Sequence, residues 1–259
     1  MTSPVERAQA LFAARHTRTP IAPFTDDDPG MTAADAYAVQ QAFVEMLLAE
    51  GGGRVVGYKL GLTSKPMQEM LGVGEPDYGP VLSHMVFDDG ATVDLSGYIQ
   101  PRVEAEIALL LDRPLRGPGV SAMEAGRAVG GAVAAIEMVD SRIIDWKIKL
   151  ADTISDLASS AATILAPRVV PVDGWDPRLC GMVVTRNGQT VDTGAGAAAL
   201  GNPVGAVAWL ANTLAPLGVG LEPGWFIMTG ALHRAFPVEK GDVVRAEFDR
   251  LGPVTVRFA

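Results

Sequence analysis

An α+β fold, in which a small helical N-terminal region precedes a body built on a curled, mixed sheet, follows from two patterns in the 259-residue chain. The longest run of apolar residues at helical spacing ends at Gly51-Gly-Gly53. Beyond it, apolar residues come mainly in short β-rich segments broken by glycine and proline. The division is set at residues 1–53, helical, and 54–259, β-rich.

Residues 4–16 and 32–50 read as helices. In the second, Thr32 and Asp35 pair at the N-terminus, and Ala36, Tyr37, Gln40, Phe43, Val44, Leu47 and Leu48 supply a stripe. Between the two, Pro20, Pro23 and the run Asp26-Asp-Asp-Pro-Gly30 form a loop. It is expected as a solvated turn with its aspartates at the surface, because the ligand spacing of a calcium loop is absent. Strands are expected at residues 55–60, 79–82, 92–95, 103–111 and 133–139. Later ones follow at 182–186, 190–193, 225–229, 242–248 and 254–258, with Asn187-Gly188 as a hairpin turn. Ser121 and Glu124 open a helix that reaches about Val129, residues 143–150 form a turn or short helix, and Pro203 starts a helix over 202–214.

An apolar fraction of 48% against 20% charged residues marks a globular chain. The mean hydropathy of +0.22 is high for a soluble monomer, so a homo-oligomer that hides apolar surface is expected. A net charge of −9 argues against a nucleic-acid or anionic-membrane surface, since either calls for clustered Lys and Arg. Cys180 is the single cysteine, which excludes an intrachain disulfide and suits a small core residue in a reducing compartment. No apolar run reaches the roughly 18 residues of a membrane span, and the first residues lack the pattern of a signal peptide. A cytoplasmic protein is expected.

The segment Gln100-Pro-Arg-Val-Glu-Ala-Glu-Ile107 carries the most telling chemistry. Successive strand side chains alternate, so Glu104 and Glu106 share one face while Val103, Ala105 and Ile107 take the other. Glu137 interrupts a second apolar run, residues 132–139. Brought together, the three carboxylates form an all-oxygen half-shell for a hard divalent ion such as Mg²⁺. Two carboxylates about 4 Å apart repel by roughly 4 kcal/mol at an effective dielectric near 20, so a buried trio needs a cation or raised pKa values. Spacing alone leaves a second reading open: a one-sided strand with a wet acidic face, and a third glutamate unrelated to it.

Seven motifs occur in order: Gly57-Tyr-Lys-Leu-Gly-Leu-Thr-Ser64, Glu75-Pro-Asp-Tyr-Gly79, Pro101-Arg-Val-Glu-Ala-Glu-Ile107, Glu137-Met-Val-Asp-Ser-Arg142, Asp152-Thr-Ile-Ser-Asp156 running on to Ser160, Gly201-Asn-Pro203 and Thr229-Gly-Ala231. From about residue 5 to the C-terminus the chain resembles the 2-keto-4-pentenoate hydratase and 4-oxalocrotonate decarboxylase family, a branch of the fumarylacetoacetate hydrolase superfamily. The resemblance implies a β-roll body of the fumarylacetoacetate hydrolase C-terminal type and one Mg²⁺ or Mn²⁺ held by Glu104, Glu106 and Glu137. It implies a small-molecule substrate, a 2-hydroxy-dienoate or 2-oxo-enoate from meta-cleavage of aromatic or steroid rings.

The same resemblance implies roles for single residues. Lys59 matches an active-site lysine that binds the substrate carboxylate or shuttles a proton, and Asp77 an acid that guides the attacking water. Ser160 matches a hydrogen-bond donor to the carboxylate, His233 lies in a pocket-lining loop, and the backbone around Leu62 approaches the ligand. Read without it, Lys59 is equally an edge-strand lysine, Asp77 a turn residue, Ser160 a buried serine satisfied by backbone, and His233 a packing residue. Arg142 and Asp140 are expected either as an ion pair that orients Glu137 or in a structural salt bridge elsewhere, and His16 and His84 as bystanders.

Metal-dependent hydration of a 2-hydroxy-dienoate, through its 2-oxo-enoate tautomer, to a 4-hydroxy-2-oxo acid is the expected activity. Asp77 and Gln100 favour it, because decarboxylase relatives carry an apolar residue and a histidine at those places. The alternatives are decarboxylation of a 2-oxo-enedioate and a non-catalytic subunit that associates with a pathway enzyme. Two departures from the family pattern bear on the choice. Leu157 replaces an Asn, removing an amide expected near the substrate, and Trp225 replaces part of a Gly-Asp pair.

Overall fold

A computed structural model describes residues 2–65, 68–69 and 72–259. Three helices come first: α1 (Pro4–Thr17), the single turn α2 (Phe24–Asp27) and α3 (Ala33–Gly51). Ser3 with Glu6 on α1, and Thr32 with Asp35 on α3, close capping boxes, so each helix begins where its unpaired N–H groups find acceptors. Ala36, Val39, Phe43 and Leu47 bury the stripe of α3. Gln40 stands in that stripe as its polar member, and its amide donates to the carbonyls of Tyr78 and Ile154 at 2.9 and 2.8 Å. Those two bonds fasten the helix to the body. The acidic loop is less solvated than expected: Asp28 accepts an ion pair from the buried Arg7 at 2.7 Å.

An eight-stranded sheet forms the body's centre. It contains β1 (Val55–Gly61), β2 (Asp77–Leu82), β3 (Val86–Asp88), β5 (Arg102–Leu111), β6 (Val129–Val139), β7 (Ser160–Leu165), β10 (Phe226–Ala231) and β11 (Phe236–Pro237). The order is β2-β1-β10-β5-β6-β7-β3, with β11 beside β5. A second sheet orders β4 (Thr92–Val93), β13 (Gly252–Phe258), β12 (Val243–Phe248), β8 (Gly181–Arg186) and β9 (Gln189–Ala195) as β4-β13-β12-β8-β9. Both sheets are mixed: β1 with β10, β3 with β7 and β4 with β13 run parallel, the other pairs antiparallel. Helices α4 (Ala122–Ala128), α5 (Leu150–Ser155) and α6 (Pro203–Leu214) complete the described elements.

Alternation explains which strands the sequence reveals. In β12, Val244, Ala246 and Phe248 are buried while Val243, Arg245 and Glu247 are exposed. By contrast β7, Ser-Ala-Ala-Thr-Ile-Leu, is buried on both faces and offers no alternation, so it goes unread as a strand. The short strands β3 and β11 are likewise unread, and several other boundaries move. β2 begins at Asp77, ahead of the expected residue 79, and β6 follows directly on α4 at Val129. The expected turn at 143–150 becomes a short turn over Ile144–Trp146 and then α5. Among the described residues no helix is long and apolar enough to cross a membrane.

Candidate active site

Register brings the carboxylates together. Glu104 on β5 and Glu137 on β6 are direct cross-strand partners, and Glu106 lies two residues further along the same face of β5. One carboxylate oxygen from each of the three lies within 4.8 Å of the others. Glu106 Oε2 accepts the Gly230 N–H at 2.9 Å. Gly230 has φ 115°, and a Cβ there would stand 2.0 Å from Thr63 Oγ1, so only glycine can present that N–H.

Lys59 on β1 is 3% exposed; its Nζ donates to the Ala158 carbonyl at 2.8 Å and lies 3.4 Å from Glu137 Oε2. Burial alone would lower its pKa, but the charges of Glu137, Asp77, Glu104 and Glu106 outweigh that and hold the ammonium above its ordinary value. On β2, Asp77 is paired in register with Gly61, where a Cβ would meet Asp77 Oδ1 at 2.1 Å. The absent side chain leaves room for the carboxylate. Asp77 Oδ2 accepts from Thr153 Oγ1 at 3.1 Å, while Oδ1 has no partner among the described residues.

Burial pushes all four carboxyls up. Glu137 rises to about 7, burial and the charge of Glu104 outweighing the opposing Lys59. Glu106 rises well above its usual range through burial, then through the charges of Glu137 and Glu104. Glu104 and Asp77 rise through burial against the pull of Lys59. Such a cluster is expensive to keep without a ligand, because each unsatisfied buried polar group costs about 1–3 kcal/mol. Glu106 Oε1 and both oxygens of Glu137 find no hydrogen-bond donor among the described residues. Acceptors without donors, all oxygen, converging on one point, fit a hard divalent cation.

Opposite the glutamates the chain makes a strained turn. Leu157, Ala158 and Ser159 have φ of 59°, 50° and 57°, left-handed values that cost non-glycine residues about 1–2 kcal/mol each. This turn delivers the Ala158 carbonyl to Lys59 and points Ser159 toward the same cavity. A buried ion pair braces it. Arg142 Nε donates to Asp156 Oδ1, and Arg142 Nη2 donates to the Asp156 carbonyl at 2.6 Å.

Lys59, Leu62, Asp77, Glu104, Ser159 and His233 all line one cavity of about 580 Å³, with Glu106 and Glu137 fully buried beside it. Leu62 has φ 55°, so its backbone turns sharply at the cavity wall. His233 lines it with an occupied ring: Nε2 accepts the Ala105 N–H at 2.8 Å and Nδ1 lies 2.8 Å from the Arg234 carbonyl. Accepting at Nε2 requires the proton on Nδ1, which leaves the neutral ring no free nitrogen for acid–base work. Burial lowers its pKa further.

Other residues stand apart from their expected places. Ser160 lines a second cavity of about 470 Å³, beside Phe43, Leu47, His84 and Leu157, and its neighbour Ser159, with an unpartnered Oγ, faces the Lys59 cavity. The left-handed turn ends between them, Ser159 having φ 57° and Ser160 opening β7 as extended backbone, and no sequence signal distinguishes them. Leu157 also faces the second cavity, so the missing amide is not a loss at the Lys59 cavity. Arg142 pairs with Asp156 and not with Asp140, which accepts the N–H groups of Ile99 and Gln100 at 3.1 and 2.7 Å. Gln100 is spent on the Ser141 and Ile143 carbonyls, and Trp225 packs on Tyr58 with ring centroids 5.8 Å apart. His16, exposed beside Glu50, and Cys180, a buried thiol, stand where they are expected.

Fold and site together place the chain among enzymes of the fumarylacetoacetate hydrolase type. The family model described as Fumarylacetoacetate (FAA) hydrolase C-terminal matches residues 65–259, and the chain belongs to that family. It is 44% identical over 253 residues to a 2-keto-4-pentenoate hydratase of Paraburkholderia xenovorans, covering 98% of this chain and 94% of the relative. It is 40% identical over 257 residues to a 2-oxo-hept-4-ene-1,7-dioate hydratase of Escherichia coli, covering 97% and 96%. Among solved structures, 4-oxalocrotonate decarboxylase from Pseudomonas putida G7, complexed with magnesium and adipate, superposes with a TM-score of 0.94 at 37% identity, covering 99% of this chain and 97% of that one.

Proposed function

We propose that the protein is a metal-dependent hydratase that adds water to a 2-hydroxy-dienoate, by way of its 2-oxo-enoate tautomer, and forms a 4-hydroxy-2-oxo acid. Glu104, Glu106 and Glu137 hold the ion, Mg²⁺ or Mn²⁺. When bound, that ion supplies positive charge for the 1-carboxylate and 2-oxygen of the substrate and stabilises the dienolate. Lys59 spends one N–H donor on Ala158 and faces Glu137 as an ion pair at 3.4 Å, which leaves a donor for the substrate's carboxylate or for a proton at carbon. Ser159 donates its free hydroxyl to the same end, and the turn at Leu62 closes the wall. Thr153 fixes Asp77 through Oδ2, so that Oδ1 is aimed at the water that attacks the distal carbon.

The unpartnered Asp77 Oδ1 carries this reading. Decarboxylation through the same enolate needs no acceptor for a water proton, whereas hydration does. Supplying Mg²⁺-loaded enzyme with 2-hydroxypenta-2,4-dienoate and, separately, with a 2-oxo-enedioate tests it. A hydroxylated product without CO₂ is the expected result, and CO₂ release from the enedioate would establish the decarboxylase instead. Residues 1–53 serve as a helical buttress for the catalytic body of 54–259. The exposed Leu179 and Met123, with the high mean hydropathy, support a homo-oligomer working in the cytoplasm alongside other enzymes of aromatic catabolism.

A further inference from the structure

Two arginines line the cavity without a direct ion-pair partner among the described residues. Arg102 stands two residues before Glu104 on the same face of β5, about 7 Å further along the strand. Arg234 follows His233 in the loop after β10. Both line the same wall as Glu104, and neither guanidinium makes an ion pair or a side-chain hydrogen bond among the described residues. Two like charges held in one pocket call for an anion.

Arg102 is held ready for one. Its guanidinium lies over the Trp146 indole, 4.6 Å from the ring centroid, a contact that positions a cation without neutralising it. Trp146 is itself locked: Asp145 and Trp146 adopt left-handed φ of 55° and 56°, and the indole N–H donates to the Gln100 carbonyl at 3.2 Å. Left-handed backbone at a tryptophan is costly, and such strain gathers where a side chain must be aimed. A purely structural stacking pair explains Trp146 on Arg102 but not the second, exposed arginine beside it.

We infer that Arg102 and Arg234 form a subsite for a second, terminal carboxylate, so that the substrate is a 2-hydroxy-diene-dioic acid and not a monoacid. The inference rests on the hydratase reading for its head group. With the 2-oxo acid end at the glutamates, the carbon chain runs along β5 past Glu104 and ends between the guanidiniums. A planar fork of donors suits a carboxylate there.

Calorimetry with Mg²⁺-loaded protein and two inert probes tests it: 2-oxoadipate and 2-oxohexanoate, equal in chain length and different only in the terminal carboxylate. The expected result is at least tenfold tighter binding of 2-oxoadipate, falling to within twofold in Arg102→Gln/Arg234→Gln. Arg234→Gln alone, an exposed substitution that leaves the core intact, is expected to remove at least a threefold share. Equal binding of the two probes by the unaltered protein, or a preference that survives the double change, overturns the subsite. Turnover separates this from the parent reading. A dioate preference in binding with no hydration of either dienoate sinks the hydratase and leaves the subsite standing, while hydration of both without a dioate preference does the reverse.

Discussion

The ammonium of Lys59 is shared between the Ala158 carbonyl at 2.8 Å and the Glu137 carboxylate at 3.4 Å. One cation thus joins a strained turn to the acidic cluster, and its charge opposes that of any metal held beside it. Replacing it should separate catalysis from metal binding. Lys59→Met is expected to lower kcat about 10²–10⁴-fold, the range for a lost proton-transfer group. Calorimetry should show Mg²⁺ bound more tightly, because a competing positive charge is gone; weaker Mg²⁺ binding would count against the arrangement.

Glu106 is fully buried and its carboxyl is pushed well above the ordinary range, so glutamine imitates the neutral form that the metal-free site prefers. Glu106→Gln should leave the metal-free melting temperature unchanged or raise it, since a repelling charge disappears. The rise in melting temperature on adding Mg²⁺ should vanish with it, and activity with it. A metal-free protein that unfolds on this change would show that the carboxylate is structural.

The pH dependence follows from Glu137, raised to about 7 in the metal-free protein. A carboxyl raised by folding contributes stability that is present below its unfolded value and is lost as pH rises through the folded one. Metal-free protein should therefore lose stability between about pH 4.5 and 7. Mg²⁺ must displace the protons that Glu137 and Glu106 hold, so its affinity should climb with pH through about 7. Titrations in buffers of different ionisation enthalpy read the proton release directly. A flat affinity from pH 5.5 to 7.5 would contradict the assignment.

Asp77→Asn keeps an acceptor for Thr153 while removing the acid that faces the cavity. Hydration should fall about 10²-fold or more. Conversion of the dienol to its 2-oxo tautomer, followed by the loss of dienol absorbance, should continue. Equal loss of both steps would move Asp77 from guiding water to general structure.

Leu157 is 1% exposed and faces the second cavity. Leu157→Asn, which restores the residue of the family pattern, should leave kcat/KM within about twofold and cost roughly 2–5 kcal/mol of stability for lost apolar burial. Thermal melts and steady-state rates check the two halves. A large change in substrate preference would place this side chain at the substrate after all.

Much of the site can be read from one strand. Period-two alternation is local, so Glu104 and Glu106 on one face, with Arg102 before them, follow from residues 100–107 alone. The helix starts are equally local: Ser121 with Glu124 and Thr32 with Asp35 are capping partners three residues apart. β7 and the left-handed turn before it are not local in this sense. Nothing in Leu-Ala-Ser requires positive φ, and only the surrounding bonds of Arg142 and Asp156 hold it there.

By itself the chain determined its α+β class, its helix starts, the paired glutamates and the family motifs, because each depends on neighbours a few residues apart. Tertiary structure alone decided that Glu137 stands across from Glu104, that Asp77 fits beside a glycine on β1, that Ser159 and not Ser160 faces the Lys59 cavity, and that Arg102 and Arg234 share it. Those relations join segments far apart in sequence. They are set by strand register and by the backbone of one strained turn, which only the packing of the whole sheet specifies.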